Sequence, residues 1–336
     1  MKLLISILFL ALVQFSIAQT KSVLFIGNSF TLNYNMPKKL EKIASSQGVS
    51  LVTEQVTEGG KDWHYHATNP KTYQKIAAEP WDYVVLQGKS YEPLYPDSTV
   101  ERKTIPYGQQ MIDSIRHHSP EAKIMLFMTW GYKNGMLLDY EEKEIDYNEM
   151  QDRLYKRYLE FADDFEVAVA PVGYIWSRIR EQYPDLNLYY EDNYHQSQYG
   201  SFLIASTFYS MIFESTINNF SSIPYKVEEE QARNIATMAS NTVLNPNSNW
   251  RKSYWMDKEF EMMDYNIYKG KITIKANVPE GYRLKWKING KKVNDESSIE
   301  LPLDKKIKEV LLIAREAILR RPRKEMMIIT ERNRVM

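Results

Sequence analysis

Apolar strand-like runs alternate with amphipathic segments through the first half of the chain, and this alternation constrains the fold most. The strand-like runs are Val23–Ile26, Leu51–Val56, Tyr83–Gln87, Ile124–Met128 and Val167–Ala170. The segments with helical periodicity between them are Pro37–Ser46, Thr72–Ala78, Lys103–His118 and Tyr147–Asp164. Strands that are separated by helices pair in parallel through right-handed crossovers. The sequence therefore predicts an α/β domain with three α/β/α layers around a parallel sheet.

The pattern changes after the two further predicted helices, Gln198–Phe213 and Val227–Ser240. The segment "LNPNSNW" that starts at Leu244 is rich in turn residues, and short alternating runs follow it. Within them "INGKKV" carries an Asn-Gly pair, which is typical of a β-hairpin. We expect an α/β domain over residues 19–245 and a small all-β module over residues 254–336. The basic stretch "REAILRRPRKEMMIITERNRVM" fits the β pattern poorly and is predicted to be an atypical tail.

The first residues have the features of a signal peptide. Lys2 precedes the apolar run "LLISILFLALVQFSI", and small residues at Ser16 and Ala18 predict cleavage before Gln19. A membrane anchor is the alternative, but the run is short for a spanning helix and no basic flank follows it. We expect an exported bacterial protein, periplasmic or secreted, without a membrane span once residues 1–18 are removed.

Composition excludes several classes of function. The chain has no cysteine, so disulfides, a thiol nucleophile and thiolate metal sites are excluded. Its 43 basic and 43 acidic side chains balance, which gives no reason to expect a nucleic acid as a partner.

Ser29 is the best candidate for a nucleophile. It lies in "FIGNSF", directly after the first predicted strand, and the carboxyl ends of parallel strands are where functional residues gather. A plain turn is the alternative, since Gly, Asn and Ser are common turn residues. A serine nucleophile needs a base and a group that orients the base. The loop "YYEDNYHQSQYG" offers both, with His195 as base and Asp192 three residues before it.

This pair of blocks resembles the SGNH/GDSL hydrolase superfamily, in the exported Bacteroidetes-type members with a "GNSFT" nucleophile block. The matching residues are Gly27-Asn28-Ser29-Phe30-Thr31 and Asp192-Asn193-Tyr194-His195, and the resemblance covers roughly Lys21 to Ser215. It implies a flavodoxin-like sheet and a Ser29-His195-Asp192 triad that needs no cofactor or metal.

The resemblance also implies an oxyanion hole built from three donors. The Ser29 backbone N–H is the first, and Gly60, with Gly59 as the alternative, supplies the second after the next strand. The third block of the family usually carries an Asn, but here the sequence reads "VVLQGKSYEP". Gln87 has the amide chemistry required, and Ser90 is the alternative donor.

Other polar and aromatic residues have weaker functional interpretations. His64 and His66 alternate as strand residues do, and with Asp62 they suggest a metal site, although lining a loop or cleft is favoured because no carboxylate cluster matches them. Trp63, Trp130 and Trp176 are candidates for a sugar-binding cleft or for packing, and packing is favoured for Trp176.

Together these residues predict an exported serine esterase, and the resemblance, with the aromatic content, implies an acetyl ester of a carbohydrate as its substrate. The expected partner is a small-molecule or polysaccharide ester. Two alternatives stay open at this point: a non-catalytic carbohydrate-binding protein on a hydrolase scaffold, and a lipase or thioesterase.

Overall fold

The structure is a computed structural model. It describes residues 20–245, 248, 250, 263–268, 271–276, 282–289, 291–293, 298–302, 309–316 and 322–328. The predicted signal peptide, residues 1–18, lies outside them. In the part of the chain that is described, no helix combines the length and the apolar character needed to cross a membrane.

Residues 20–245 contain seven strands and ten α-helices. The strands are β1 (Lys21–Gly27), β2 (Leu51–Thr57), β3 (Tyr83–Leu86), β4 (Lys123–Phe127), β5 (Met136–Leu138), β6 (Lys143–Ile145) and β7 (Ala168–Ala170). The helices are α1 (Ser29–Leu32), α2 (Met36–Ser46), α3 (Trp63–Thr68), α4 (Pro70–Ile76), α5 (Asp97–Lys103), α6 (Ile105–His118), α7 (Tyr147–Phe165), α8 (Val172–Gln182), α9 (Gln198–Phe213) and α10 (Glu229–Leu244). Two 3₁₀ turns lie at Asn33–Asn35 and Glu92–Leu94.

Five of these strands form one parallel sheet in the order β2-β1-β3-β4-β7. This is the flavodoxin-like order, and it confirms the predicted three-layer α/β fold. In such sheets the strand order reverses between β1 and β3, and ligands bind at the carboxyl ends beside that point. The sequence after β1 therefore occupies the position where a functional site is expected.

The two cores on either side of the sheet follow from the alternation of β1. Val23 and Phe25 point into a core that α2, α8, α9 and α10 complete, whereas Leu24 and Ile26 point into a core with α3, α4, α6 and α7. Strand residues point alternately to opposite faces, so an unbroken apolar run is what a strand covered on both faces requires.

Several short elements were not predicted. They are α1, α3, α5, α8 and the antiparallel hairpin of β5 and β6. The strand-like interpretation of His64 and His66 is wrong, because both residues lie on α3, which begins after the N-cap Asp62. A helix of six residues is too short to show a periodicity of its own, and the cap is its main local signal.

The C-terminal part contains seven strands among the described residues. They are β8 (Met263–Tyr268), β9 (Lys271–Ala276), β10 (Tyr282–Ile288), β11 (Lys291–Val293), β12 (Ser298–Pro302), β13 (Glu309–Glu316) and β14 (Pro322–Ile328). They form two antiparallel sheets, ordered β12-β9-β8 and β11-β10-β13-β14. The "INGKKV" hairpin is confirmed, since Ile288 pairs with Lys291.

The predicted atypical tail is partly wrong, because β14 lies within it and pairs with β13. Backbone pairing to a neighbouring strand forms this element, and composition alone does not reveal such pairing. The boundaries of the α/β domain and of the β module stay predictions.

The last residue of β1 is Gly27, and the surrounding side chains leave no room there for a larger residue. A Cβ atom at this position would lie 2.7 Å from Gln87 Oε1 and 2.7 Å from Thr31 Oγ1. The break in the apolar run at "FIGNS" is therefore required by close packing at the end of the strand.

We expect Gly27→Ala to destabilise the protein by about 2 kcal/mol, because the added methyl group overpacks a buried junction. Gly59→Ala is the matched control, since a Cβ atom there meets nothing within 4 Å. Urea unfolding followed by circular dichroism measures both. Equal midpoints for the two variants would contradict the packing explanation.

Candidate active site

Ser29 is the first residue of α1 and follows β1 after a single residue. Asn28 caps this helix, and its side-chain Oδ1 accepts a hydrogen bond from Phe30 N at 3.1 Å. The Ser29 side chain is half-buried, and among the described residues its backbone N–H forms no hydrogen bond. The nucleophile candidate thus has an anchored backbone, a reachable hydroxyl and a free N–H.

Asn28 also connects the ends of three neighbouring strands. Its backbone N–H donates to Gln87 Oε1 at 2.8 Å, after β3. Its side-chain Nδ2 donates to Lys61 O at 2.9 Å, after β2, and to Gly88 O at 3.0 Å. No sequence signal indicates this role, because each contact joins Asn28 to a segment that is distant in the chain.

The Asp192-Asn193-Tyr194-His195 segment forms a tight turn on the Asp192 carboxylate. Oδ1 accepts hydrogen bonds from the backbone N–H groups of Tyr194 at 3.1 Å and His195 at 2.9 Å. Asn193 takes the left-handed conformation, with φ 65°, that the turn requires. This leaves Oδ2 facing the ring, 2.7 Å from His195 Nδ1.

The two predicted blocks meet at the site. His195 Nε2 lies 2.8 Å from Ser29 Oγ, although 166 residues separate them in the chain. Burial raises the pKa of Asp192, but hydrogen bonds from the His195 ring and from two backbone N–H groups outweigh it, so the pKa lies below its ordinary value. Asp192 is therefore ionised at neutral pH and accepts a hydrogen bond from the His195 Nδ1–H. This leaves Nε2 without a proton, so it can accept the proton of Ser29.

Three contacts that sequence reasoning missed hold this loop in place. Gln196 is fully buried, and its Nε2 donates to Phe30 O at 3.0 Å, which ties the His195 loop to α1. Trp130 Nε1 donates to Tyr194 O at 3.0 Å. Lys133 N donates to Asn193 O at 2.8 Å. No sequence signal identifies these partners, because each contact joins segments that are far apart in the chain.

The three tryptophans considered as cleft residues belong to the core. Trp63, Trp130 and Trp176 are each at most 2% exposed. Trp130 and Trp176 stack in parallel with ring centroids 4.0 Å apart. The packing alternative is thus confirmed for all three, and they offer no face to a sugar.

Gly60 lies in the exposed turn that follows β2, with φ 70°. The next residue, Lys61, supplies the carbonyl that accepts the Asn28 side-chain hydrogen bond. The turn is therefore attached to the N-cap of the nucleophile helix. Its role in an oxyanion hole, with Gly60 or Gly59 as donor, stays a prediction.

The side-chain amide of Gln87, the predicted third oxyanion donor, is engaged in hydrogen bonds to neighbouring residues. The side chain is fully buried. Its Oε1 accepts from Asn28 N and from Thr31 Oγ1, and its Nε2 donates to Gly88 O. Both ends of the amide are thus engaged in holding the backbone that precedes Ser29. Gln87 is a positioning residue for the nucleophile.

Ser90, the alternative donor, has its hydroxyl at a different location. Ser90 Oγ lies 2.7 Å from Tyr132 Oη, and the Tyr132 ring lies 5.4 Å from the ring of Tyr194. Tyr194 in turn packs against the His195 ring at 4.2 Å. Burial raises the pKa of Tyr132 to about 12, so its phenol keeps its proton at neutral pH and can donate to Ser90.

His66 has a structural place beside the nucleophile. It is buried, and its Nε2 donates to Gly27 O at 2.9 Å. Burial lowers its pKa, which fits a neutral imidazole. Among the described residues, no three His, Asp or Glu side chains converge as metal ligands would.

Glu92 is the main buried acid near the loop that carries Ser90. Its carboxylate accepts from Thr104 Oγ1 at 2.9 Å and from Lys89 N at 3.2 Å. Burial raises its pKa to about 7, against the weaker opposing effect of these hydrogen bonds.

A family model described as "Domain of unknown function (DUF4886)" matches residues 66–243. No curated protein matches the chain. A solved DUF4886 family protein from Bacteroides uniformis ATCC 8492 is 18% identical and covers 68% of this chain and 96% of its own, with a TM-score of 0.58. This likeness confirms the fold of the α/β part.

Two further solved structures are similar at lower scores. A putative SGNH hydrolase from Slackia heliotrinireducens is 24% identical and covers 58% of this chain and 100% of its own, with a TM-score of 0.46. A psychrotrophic esterase from Pseudoalteromonas sp. is 12% identical and covers 58% and 97%, with a TM-score of 0.43. The resemblance to SGNH/GDSL hydrolases is confirmed at the level of the fold, since the flavodoxin-like sheet that it implies is present.

The raised pKa of Glu92 leads to a testable dependence of stability on pH. The folded protein holds a proton on Glu92 up to about pH 7, whereas the unfolded chain releases it near the ordinary value of 4.5. The contribution of Glu92 to stability therefore falls as pH rises between these values, by roughly 3 kcal/mol. We expect Glu92→Gln to remove this fall.

The measurement is the difference in free energy of unfolding between Glu92→Gln and the wild type from pH 4 to pH 8. A difference that is constant across this range would contradict the assignment.

Proposed function

Because this chain belongs to the DUF4886 family, a domain family of unknown function, we propose its activity from the geometry of its own site. We infer that it is an exported serine esterase that hydrolyses an acetyl ester on a carbohydrate. One observation carries the proposal. Ser29 Oγ, the His195 ring and the Asp192 carboxylate form a continuous chain of hydrogen bonds of 2.8 and 2.7 Å.

The proposed reaction proceeds in two stages. Ser29 Oγ attacks the ester carbonyl while His195 Nε2 takes the serine proton, and the tetrahedral intermediate collapses as His195 gives that proton to the leaving alkoxide. A water molecule then attacks the acyl-enzyme with His195 again acting as base, which releases the acid and restores Ser29. Asp192 stays ionised throughout, holds the ring in the tautomer with a proton on Nδ1 and stabilises the imidazolium.

The oxyanion hole is assigned from the donors that remain free. The Ser29 N–H is the first donor, and Gly60 N–H is the proposed second. Because the Gln87 amide is engaged with Asn28, Thr31 and Gly88, Ser90 is the proposed third donor. With the Tyr132 phenol donating to Ser90 Oγ, the Ser90 hydroxyl proton is free to point toward the developing oxyanion.

The export, the acetyl group and the carbohydrate in this proposal are supported by observations outside the triad. Residues 1–18 support export through their signal-peptide pattern, and the resemblance to exported members of the superfamily supports a deacylase of carbohydrates. An esterase is favoured over a non-catalytic binding protein, because a binding protein has no need for a serine, a histidine and an ionised aspartate in this geometry.

We expect Ser29→Ala to lower kcat/KM for p-nitrophenyl acetate by roughly 10³-fold or more, because the variant lacks the nucleophile. Equal rates for the variant and the wild type would exclude the esterase and leave the carbohydrate-binding alternative. A series of p-nitrophenyl esters with longer acyl chains is the companion measurement. A clear preference for long chains over acetyl would replace the deacetylase with a lipase or thioesterase.

We expect Ser90→Ala to lower kcat by about 10²-fold with little change in KM, because an oxyanion donor acts mainly in the transition state. Tyr132→Phe keeps the Ser90 hydroxyl and should have a smaller effect. Urea unfolding of both variants separates a catalytic loss from a folding defect. An unchanged kcat in a folded Ser90→Ala protein would remove Ser90 from the oxyanion hole.

A further inference from the structure

A groove of about 760 Å³ opens beside the proposed active site. Four segments line it: the start of α3, the loop after β3 together with α5, the first turn of α6, and the hairpin of β5 and β6. Its volume is within the range of about 300–1,000 Å³ that is common for small-molecule sites. Nothing in the proposed reaction at Ser29 uses this groove.

The turn of the hairpin, between β5 and β6, is fixed by contacts in two directions. The Tyr140 hydroxyl donates to Leu94 O on the opposite wall. Glu141, the next residue, forms a bidentate ion pair with Arg153 of α7 at 2.7 and 3.0 Å. Bidentate pairing adds geometric restraint to charge attraction. The position of this wall is therefore set by contacts with the rest of the fold.

Four tyrosines line this groove, together with the apolar side chains of Leu94, Pro96, Met136, Leu137 and Leu138. Tyr91, Tyr95 and Tyr107 are partly exposed, and Tyr140 is 40% exposed. Tyr91 and Tyr95 meet edge to face at 5.9 Å, and Tyr107 meets the His64 ring edge to face at 4.5 Å. Rings of this kind can stack on the C–H faces of a sugar, and the phenol at the edge can take part in hydrogen bonds.

The charges in the groove favour a neutral, hydroxyl-rich ligand. Asp62, Glu92 and Asp139 line it together with Lys103. A long alkyl chain would strip water from these groups without replacing their hydrogen bonds, which is costly. A sugar acid would meet the carboxylates of Asp62 and Asp139 as well as Lys103, whereas the pKa of Glu92 is raised to about 7. A cationic ligand would meet Lys103 in the groove and Lys89 beside it, whose Nζ lies 4.8 Å from the centroid of the Tyr91 ring.

The groove begins at the two loops that flank the nucleophile. Asp62 directly follows Lys61, whose carbonyl accepts a hydrogen bond from Asn28. Tyr91 directly follows Ser90, whose hydroxyl contacts Tyr132. The loops that carry the proposed oxyanion donors Gly60 and Ser90 therefore also supply residues to the groove.

From these observations we propose that the groove binds neutral sugar residues that adjoin the acylated one in a saccharide substrate. The sugar rings stack on tyrosines from opposite walls, Tyr107 on α6 and Tyr140 on the hairpin. Their hydroxyl groups donate to the carboxylates of Asp62 and Asp139. This inference deepens the proposed function, on which it rests for the group that reacts, and names the substrate class of that site.

Calorimetric titration of the wild-type full chain with non-acylated oligosaccharides tests the binding without any reaction. The probes are neutral hexasaccharides of xylose, glucose, mannose and galactose, with the hexamers of galacturonic acid and glucosamine as charged counterparts of the same length. We expect at least one neutral hexasaccharide to bind at least about tenfold more tightly than either charged hexamer. Tighter binding of a charged hexamer, or no binding of any neutral one, would overturn the inference.

Two variants localise the binding to the groove. We expect Tyr107→Ala to weaken the neutral hexasaccharide about tenfold, whereas Tyr107→Phe keeps the ring and most of the affinity. Tyr140→Ala on the other wall should weaken it similarly and serves if Tyr107→Ala does not fold. Unchanged affinity in a folded alanine variant would contradict the proposal.

These results are separable from a failure of the proposed esterase. If p-nitrophenyl acetate hydrolysis does not depend on Ser29, the proposed esterase is excluded, whether or not the groove binds sugars. Serine-dependent hydrolysis together with no binding of neutral hexasaccharides would instead overturn the groove assignment alone.

Discussion

The hydrogen bonds of Asn28 are the constraint on which the rest of the site depends. The backbone N–H of this buried residue donates to Gln87 Oε1, and its side-chain Nδ2 donates to Lys61 O and Gly88 O. The ends of β1, β2 and β3 are thereby held in one arrangement, and Ser29 follows directly. Because an unpaired buried donor or acceptor is costly, the arrangement resists small displacements. A nucleophile needs such support, since a misplacement of about 1 Å reduces catalysis strongly.

The other half of the site is supported in the same way from the opposite side. Asp192 folds its own turn and orients the His195 ring, while Gln196 attaches this turn to α1 through Phe30 O. Trp130 holds the Tyr194 carbonyl. The residues on either side of His195 are therefore attached to Trp130 and to α1, and these contacts hold the His195 loop beside Ser29.

The parts that could be predicted from the sequence are those with a local signal. The central strands of the sheet are long apolar runs, and α9 was predicted with its exact bounds because "QYGSFLIASTFYSMIF" is apolar and preceded by the cap Ser197. Ser29, Asp192 and His195 came from short motifs at the ends of these elements. The short helix α3 has only the Asp62 cap as a local signal, and a loop or cleft position was consequently favoured for His64 and His66.

What could not be predicted depends on partners that are distant in the chain. Gln87 has a donor and an acceptor, and only the fold shows that Asn28, Thr31 and Gly88 use both. Ser90 is favoured as an oxyanion donor because its hydroxyl contacts the phenol of Tyr132, which lies 42 residues further along the chain. The tyrosine groove has walls from four separate segments, so no single stretch of sequence reveals it.

The central claim is that Ser29 is a nucleophile activated by His195, and covalent labelling tests it most directly. The full chain is treated with a fluorophosphonate and examined by intact mass and peptide mapping. We predict a single adduct on Ser29 in the wild type, and none in Ser29→Ala or His195→Ala. An adduct on another residue, no adduct in the wild type, or equal labelling of Ser29 in the absence of His195 would contradict the account.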